Sequence, residues 1–313
     1  MTACAFLFPG QASQAVGMGR DIYREYPVAR EIFDRADEIL GFSLTGLCFC
    51  GPEEELRQTI FTQPAVFVHS VAAWHVLVAA GIEPACVAGH SLGEYSALVA
   101  ARVLEFEEAL KLVERRSQFM QLAGAERPGG MVAVLGLEDQ RVEEICRQGA
   151  GSGIAVAANF NAPGQVAVSG DMAALERVGE LAREAGAKRV IPLEVSGAFH
   201  SPLMEPAARE MTSLLEAARL YSPQRPVITN VAARPVEEVE DLRRHLIAQI
   251  THPVRWSESV QCMARMGVEC AAEVGPGAVL KGLVRRIERD LQVMEAGTVE
   301  GLGNARSDLQ GDG

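Results

Sequence analysis

The sequence predicts an α/β protein in which a large domain with a parallel sheet is interrupted by a smaller inserted unit. Short apolar stretches alternate with stretches of helical periodicity along most of the 313 residues, which is typical of parallel strands joined by helices. Residues 130–194 instead follow the order β-α-β-β-α-β, which is typical of a ferredoxin-like unit. We therefore expect a large domain over residues 1–128 and 195–295, with an inserted ferredoxin-like subdomain over residues 129–194.

The first predicted strand covers residues 4–8 and ends at Pro9-Gly10, so the loop carrying Gln11 follows the carboxyl end of a strand. Such loops line ligand sites in open α/β sheets, and Gln11 could offer its backbone N–H to an oxyanion. A plain polar loop explains this segment equally well. The next elements are predicted to be a helix over residues 22–40, a short helix over 52–56, and an apolar helix over 65–80 with Pro64 at its first position.

The following strand, residues 85–88, leads into a Gly-x-Ser-x-Gly turn. Helical spacing resumes at Leu92, so Ser91 lies between a strand and a helix, where Gly89 and Gly93 avoid collisions in a tight bend. This nucleophile elbow exposes a serine hydroxyl at a helix N-terminus, where backbone N–H groups such as that of Leu92 can stabilise an oxyanion. The pattern favours an α/β-hydrolase-like large domain, but taken alone it also fits a simple tight turn.

Two further side chains are candidates for the same site. The helix predicted over residues 105–122 carries Arg115 and Arg116, whose side chains point about 100° apart, so Arg116 can face the site while Arg115 is solvated. His200 is the best candidate for a general base, because it lies in a loop of small residues between a predicted strand and a helix. A buried structural histidine is the alternative interpretation of His200.

The remaining elements complete the large domain. Strands are predicted over residues 227–230 and 271–274, and a helix is predicted over residues 279–288. Gln249 lies near the turn that joins the intervening helices. Residues 296–313 are expected to form a flexible tail.

Composition argues against several classes of protein. The net charge of −12 disfavours a surface for nucleic acid or for anionic membranes. The first 20 residues lack the pattern of a signal peptide, and no stretch is predicted to span a membrane. The seven cysteines are odd in number and lack metal-site spacing, so we expect reduced thiols, no metal site and a cytoplasmic protein.

Eight motifs occur in a single order along roughly residues 4–290. They are Phe8-Pro9-Gly10-Gln11-Ala12-Ser13-Gln14, Thr62-Gln63-Pro64-Ala65, Gly89-His90-Ser91-Leu92-Gly93-Glu94, Arg116 with Phe119-Met120-Gln121, Asn161-x-Pro163-Gly164-Gln165, Ala198-Phe199-His200, Gln249 with Pro253-Val254-Arg255-Trp256, and Glu273-x-Gly275-Pro276-Gly277. Together they resemble the malonyl-coenzyme A:acyl-carrier-protein transacylases of fatty acid synthesis and their relatives, the acyltransferases of polyketide synthases.

This resemblance implies a ping-pong acyl transfer through an acyl-serine. The implied catalytic residues are the nucleophile Ser91, its base His200, Gln249, whose carbonyl orients the base, and Gln11 and Leu92, whose N–H groups form the oxyanion hole. The implied substrate-binding residues are Arg116 for the substrate carboxylate, Phe199, His90 and Asn161. The implied partners are a coenzyme A thioester and an acyl carrier protein, with no cofactor, no nucleic acid and no membrane.

Three details follow from the resemblance. Relatives that select malonyl units tend to have Ala-Phe-His at residues 198–200, so Phe199 would fill the space of a branched α-methyl group, and malonyl is preferred over methylmalonyl. Ala12 replaces the usual glycine, so its loop is expected to adopt an ordinary L-residue conformation or to carry mild strain. Carrier proteins of this kind are acidic, so docking would need a basic patch. The candidates are Lys188, Arg189, Lys281, Arg285 and Arg286.

Two alternatives remain open. A serine esterase of the α/β-hydrolase type would need an acidic residue between the serine and the histidine in the chain, and Asp171 or Glu194 could fill that place. The inserted unit and Arg116 argue against the esterase, because a buried arginine is costly without an anionic substrate. A catalytically idle docking module for carrier proteins is less compatible with the presence of Ser91, His200 and Arg116.

Overall fold

The computed structural model describes residues 3–310. In this part of the chain the strands are β1 Cys4–Phe8, β2 Cys86–Gly89, β3 Gly130–Leu135, β4 Ala155–Ala162, β5 Gln165–Gly170, β6 Arg189–Pro192, β7 Val227–Ile228, β8 Pro235–Val236, β9 Cys270–Glu273 and β10 Gln292–Glu295. The α-helices are α1 Arg20–Glu25, α2 Pro27–Leu40, α3 Leu44–Cys50, α4 Glu53–Leu56, α5 Thr59–Ala79, α6 Gly93–Ala100, α7 Phe106–Glu126, α8 Asp139–Ala150, α9 Met172–Glu184, α10 Glu205–Ala217, α11 Val239–Gln249, α12 Trp256–Arg265, α13 Val279–Ile287 and α14 Val299–Gln310.

The larger sheet has six strands in the order β10-β9-β1-β2-β7-β8. Its strand pairs are parallel, except that β7 and β8 are antiparallel. Phe6 and Phe8 of β1 pack into the core on one face, whereas Ala5 and Leu7 pack into the core on the other. Burial on both faces explains why this strand is an unbroken apolar run. The α/β class predicted from the sequence is therefore confirmed.

The smaller sheet has four strands in the order β4-β5-β3-β6, and all of its pairs are antiparallel. Helices α8 and α9 cover one face of this sheet and share its core. Two backbone hydrogen bonds tie β4 to the larger unit: Val254 N–H donates to Ala158 O, and Phe160 N–H donates to Val254 O, both over 2.9 Å. These bonds hold the middle of β4 against the segment before α12, and the neighbouring Arg255 N–H donates to Asn230 O, just after β7.

Two of the predicted helices have different bounds in the structure. The helix expected over residues 22–40 is interrupted, because Tyr26 is extended and Pro27 starts α2 as a new helix. A residue before proline is pushed away from the helical region, which explains the break. The apolar helix α5 begins at Thr59 rather than Ala65, and Pro64 lies inside it. Tertiary packing stabilises this earlier start, since most of α5 is buried.

Helix α5 is also the one helix within residues 3–310 that is long and apolar enough to cross a membrane. However, 83% of its apolar window is buried inside the protein. This burial is typical of a core helix, so its length and composition are weak evidence for a membrane span.

The expectation of a flexible tail over residues 296–313 is wrong for the part that the structure describes. The chain passes from the edge strand β10 into α14, Val299–Gln310, and the side chains of Leu302 and Ala305 are buried. The helix was missed because its few apolar residues are separated by glycines and polar residues, so it depends on docking rather than on local propensity. Residues 311–313 lie outside the described range.

Candidate active site

Ser91 lies on the turn between β2 and α6, at the carboxyl edge of the larger sheet. Its backbone is in the left-handed region, with φ of 51°. A Cβ on Gly89 would lie 1.9 Å from the carbonyl carbon of Gly93, and a Cβ on Gly93 would lie 2.1 Å from the Phe8 oxygen. Only glycine fits at either position, so the turn has the geometry of the predicted nucleophile elbow.

The hydroxyl of Ser91 is hydrogen-bonded to His200, with Oγ and Nε2 2.7 Å apart. The other ring nitrogen, Nδ1, is 2.7 Å from the backbone oxygen of Gln249. A carbonyl oxygen only accepts hydrogen bonds, so Nδ1 carries the proton and Nε2 presents a lone pair to the serine. The structure therefore brings Ser91, His200 and Gln249 together in the arrangement required for a serine nucleophile with a histidine base.

His200 is buried, and burial is the main cause that lowers its pKa from the ordinary 6.5 to about 3. The positive charge of Arg116 lowers the pKa of His200 further, whereas the hydrogen bond to Gln249 O raises it. The imidazole is thus neutral near neutral pH in the free protein. A neutral imidazole can accept the serine proton, which is the requirement for a general base.

Arg116 reaches the same point from α7, and its side chain is only 1% exposed. Its Nη1 donates to Gln63 Oε1 over 2.6 Å, and its Nη2 donates to Ser91 Oγ over 3.2 Å and to Gln249 Oε1 over 3.0 Å. Its Nε is buried without a hydrogen-bond partner among the described residues. Burial lowers the pKa of this guanidinium from its usual value. A buried cation beside the nucleophile is suited to binding an anionic substrate group.

Three polar residues of the site were missed by sequence reasoning: Gln63, Asn230 and Glu94. Asn230 Oδ1 accepts the backbone N–H of Ser91 over 2.7 Å, and its Nδ2 donates to Gly89 O over 2.6 Å. Asn230 follows β7, the parallel neighbour of β2, so a polar residue at that strand end was a usable signal. Gln63 and Glu94 lie inside sequence motifs, but nothing in their spacing indicated what they contact.

The oxyanion-hole candidates Gln11 and Leu92 both line the cleft that contains Ser91. The side chain of Gln11 donates to Thr59 Oγ1 over 3.3 Å, which holds the loop after β1 against α5. The next residue, Ala12, has φ of 80°, so this loop takes the strained alternative rather than an ordinary L-residue conformation. The assignment of the Gln11 and Leu92 N–H groups to an oxyanion stays a prediction.

The cleft has a volume of about 540 Å³ and runs between the elbow and the smaller sheet. Phe199, His90 and Asn161 line it, as do residues from α13. His90 Nε2 is 2.8 Å from Asn161 Oδ1, so these two candidates bridge the elbow and β4. Phe199 is buried directly before His200. The cleft is large enough for an extended substrate arm, and its reactive groups lie at its floor.

Neither acidic candidate of the esterase interpretation contacts the base. Asp171 Oδ2 accepts the backbone N–H of Ile154 over 2.5 Å, and Glu194 forms an ion pair with Arg57 over 3.0 Å. The position beside His200 Nδ1 is occupied by the Gln249 carbonyl instead. The suggested serine–acid–histidine triad through either residue is therefore wrong.

The chain matches a protein-family profile described as the acyl transferase domain over residues 5–311. It is 45% identical over 301 residues to the malonyl CoA-acyl carrier protein transacylase of Haemophilus influenzae, covering 96% of each protein. The protein of the same name in Bacillus subtilis is 44% identical over 295 residues, covering 94% of this chain and 93% of its own.

Solved structures are similarly close. The malonyl CoA-acyl carrier protein transacylase of Coxiella burnetii superposes with a TM-score of 0.96 at 39% identity, covering 98% of each chain. The malonyl-transacylase solved in complex with its type II PKS acyl-carrier protein also has a TM-score of 0.96, at 41% identity, covering 98% of this chain and 100% of its own. The likeness thus includes both the elbow and the smaller sheet.

Proposed function

Because this chain belongs to the acyl transferase domain family, we propose that it transfers a malonyl group from coenzyme A to the phosphopantetheine thiol of an acyl carrier protein. We propose fatty acid or polyketide biosynthesis as its context, since the chain is similar to malonyl CoA-acyl carrier protein transacylases, one of which was solved with its type II PKS acyl-carrier protein. The observation that carries the proposal is the buried guanidinium of Arg116, 3.2 Å from the Ser91 hydroxyl. Malonyl has a free carboxylate that this cation can bind, whereas a neutral acyl group has none.

The first half-reaction forms the acyl-serine. His200 Nε2 takes the proton of the Ser91 hydroxyl as Oγ attacks the thioester carbonyl, and the N–H groups of Gln11 and Leu92 stabilise the resulting oxyanion. When the tetrahedral intermediate collapses, the C–S bond breaks and the sulfur of coenzyme A receives the proton from His200. Gln249 O stabilises the imidazolium that forms between these two proton transfers.

The second half-reaction reverses these steps with a different thiol. The carrier protein's phosphopantetheine thiol gives its proton to His200 and attacks the malonyl-serine ester, and Ser91 leaves with that proton. Water must be kept from the ester for transfer to exceed hydrolysis. The buried positions of His200 and Arg116 favour this exclusion, and a substrate arm filling the cleft would add to it.

Several finer features belong to the same proposal. We propose that residues 129–194 form an inserted ferredoxin-like subdomain and that the remainder is α/β-hydrolase-like. The sheet order β4-β5-β3-β6, with α8 and α9 on one face, supports the first part. The buried Phe199 supports malonyl over methylmalonyl, because it limits the space for an α-methyl group. Serine and histidine chemistry needs no cofactor, and the seven free cysteines favour a cytoplasmic location.

The proposed function predicts a selective covalent mark. Brief exposure to malonyl-coenzyme A should convert most of the protein to a form heavier by one malonyl group, whereas methylmalonyl- and acetyl-coenzyme A should label it more slowly. Intact-protein mass spectrometry measures all three forms. Equal labelling by the three thioesters would remove the malonyl assignment, and no labelling by any of them would favour an idle docking module. Rapid hydrolysis of a neutral ester, exceeding malonyl transfer, would instead support an esterase.

A second prediction concerns the surface on which the carrier protein docks. We propose that it docks at a surface groove whose lining includes Lys188, Arg189 and Arg286. Lys281 contributes less positive charge, because it forms an ion pair with Glu295 over 2.7 Å. Charge reversal by Lys188→Glu or Arg189→Glu should raise the KM for carrier protein, more strongly at low salt, because an acidic partner is then repelled. Acylation by malonyl-coenzyme A should remain nearly unchanged.

The matched control for docking is Lys111→Glu, which reverses an exposed lysine on α7 outside the groove. Steady-state transfer is measured for each variant over a range of carrier-protein and coenzyme A thioester concentrations. A rise in KM of equal size for both substrates, or an equal rise in the control, would mean that the groove is not the docking surface.

A further inference from the structure

Glu94 is a buried carboxylate directly beneath the nucleophile elbow. It lies in the first turn of α6, its backbone N–H donates to Ser91 O over 3.1 Å, and its side chain is 1% exposed. A buried carboxylate is costly unless hydrogen bonds or an opposite charge compensate it. Neither half-reaction uses this carboxylate, so its burial beside the nucleophile needs a physical explanation.

The hydrogen bonds of Glu94 connect two residues that hold the nucleophile. Its Oε2 accepts the backbone N–H of Asn230 over 2.8 Å and the side-chain amide Nε2 of Gln249 over 3.1 Å. Asn230 in turn accepts the Ser91 N–H, and Gln249 Nε2 donates to Ser91 O over 2.9 Å. Both backbone polar groups of Ser91 are therefore fixed by partners of Glu94. This matters because the left-handed backbone of Ser91 persists only when its surroundings hold it there.

Gln249 extends the connection to the other reacting groups. Its backbone oxygen accepts from His200 Nδ1, and its side-chain oxygen accepts from Arg116 Nη2 over 3.0 Å. A shift of Gln249 would thus displace the base and the cation together. The amide orientation of Gln249 is set by this pattern, since Nε2 faces the Glu94 oxygen and Oε1 faces the guanidinium.

Charge provides a second link between Glu94 and the substrate site. Within residues 3–310, Arg116 makes no direct ion pair, and the Gln249 amide bridges it to Glu94, since Oε1 accepts from Arg116 Nη2 over 3.0 Å and Nε2 donates to Glu94 Oε2 over 3.1 Å. The negative charges of Tyr95 and Glu94, when these groups are ionised, would favour the charged form of Arg116. Burial is the main cause that raises the pKa of Glu94 to about 7, and it outweighs the hydrogen bonds from Asn230 and Gln249 and the charge of Arg116, which act to lower this pKa. The remaining Glu94 oxygen, Oε1, has no hydrogen-bond partner among the described residues.

We propose that Glu94 is a positioning residue for this reaction and sets the strength of the malonyl-carboxylate contact. Its hydrogen bonds keep Asn230 and Gln249 in place, so that Ser91 and His200 stay aligned. The negative charge of Glu94 partly offsets the positive charge of Arg116. This weakens the attraction between Arg116 and the free carboxylate of malonyl and limits how tightly the malonyl group is bound. This inference rests on the proposed function, because it assumes that Arg116 binds that carboxylate.

Two variants separate the hydrogen bonds from the charge. Glu94→Gln keeps an acceptor oxygen for Asn230 and Gln249 but removes the charge, whereas Glu94→Ala removes both. Single-turnover acylation of Ser91 by malonyl- and acetyl-coenzyme A is measured for the wild type and both variants, well above the pKa of about 7 so that Glu94 is ionised. Thermal unfolding of each protein identifies any variant that fails to fold.

For Glu94→Ala, acylation by both thioesters should slow on the order of 100-fold, the cost of misplacing reacting groups by about an ångström. For Glu94→Gln, acetyl acylation should stay within a few-fold of the wild type. The half-saturating concentration of malonyl-coenzyme A should fall about 5-fold or more, because the substitution removes a negative charge that repels the malonyl carboxylate.

If Glu94→Ala is acylated by acetyl-coenzyme A at the wild-type rate, Glu94 has no positioning role. If the half-saturating concentration of malonyl-coenzyme A is unchanged in Glu94→Gln, the charge of Glu94 has no role in binding. Loss of acetyl acylation in folded Glu94→Gln would contradict the division between hydrogen bonds and charge. Failure of the wild type to become malonylated would instead overturn the proposed function, so the two failures are distinguishable.

Discussion

Ser91→Ala is expected to abolish formation of the acyl-enzyme, because it removes the only atom on which the proposed intermediate can form. His200→Ala should slow acylation by on the order of 10⁴- to 10⁶-fold, since a nucleophile and its base act as one unit. Both substitutions remove atoms from the cleft rather than from a core, so folding should survive. Intact-protein mass after rapid mixing with malonyl-coenzyme A measures the acyl-enzyme, and circular dichroism checks the fold.

The matched control for the base is His75→Ala, because His75 is a partly buried histidine on α5 that lies outside the cleft. Its acylation rate should equal that of the wild type. Normal acylation of the Ser91→Ala protein would remove the whole mechanism. A defect of only a few-fold in His200→Ala would mean that another group takes the proton, despite the 2.7 Å contact between His200 Nε2 and Ser91 Oγ.

Arg116→Ala should cost about 2–5 kcal/mol in malonyl transfer, the usual penalty for truncating one partner of a buried charge pair. This corresponds to a loss of roughly 30- to 4,000-fold at about 1.4 kcal/mol per tenfold. The rate of acetyl transfer should fall little or even rise, because acetyl has no free carboxylate and therefore loses no contact when Arg116 is removed. Arg116→Lys should rescue malonyl transfer only in part, since a point charge cannot reproduce the planar pair of N–H groups.

The measurement is the ratio of initial acylation rates with malonyl- and acetyl-coenzyme A in each variant. The matched control is Arg115→Ala, because Arg115 is the adjacent arginine on α7, is exposed and donates to Gln118 Oε1 over 3.0 Å. Its ratio should equal that of the wild type. If the ratio of the malonyl rate to the acetyl rate does not fall in Arg116→Ala, Arg116 is a structural arginine and the malonyl assignment loses its main physical support.

The position of the nucleophile could be predicted from sequence because its signals are local. A strand, two glycines and the start of a helix lie within about ten residues of Ser91, and each has a steric reason that involves only near neighbours. His200 was identified in the same way, from a loop of small residues after a strand. The role of Gln249 depended on the family resemblance, since no local pattern shows that a backbone carbonyl will meet a histidine.

Local sequence patterns do not predict elements whose formation depends on long-range packing. The early start of α5 at Thr59 and the formation of α14 both depend on burial against other elements, which overrides weak local propensity. The acidic partner suggested for His200 was wrong for a related reason. Chain order cannot show which group reaches an imidazole nitrogen, and Asp171 and Glu194 are held elsewhere by their own contacts.

By itself, the sequence determined the alternation of strands and helices, the nucleophile elbow that carries Ser91 and the loop that carries the candidate base His200, because these depend on periodicity and on steric limits within short segments. Only the tertiary structure decided which of Arg115 and Arg116 is buried, that Asn230 holds the Ser91 N–H, and that Glu94 lies beneath both. The hydrogen bond between Ser91 and Asn230 joins residues that are 139 positions apart in the chain, and the one between Asn230 and Glu94 joins residues that are 136 positions apart. Their geometry arises when parallel strands bring distant carboxyl ends to one edge of a sheet, a convergence that no local pattern records.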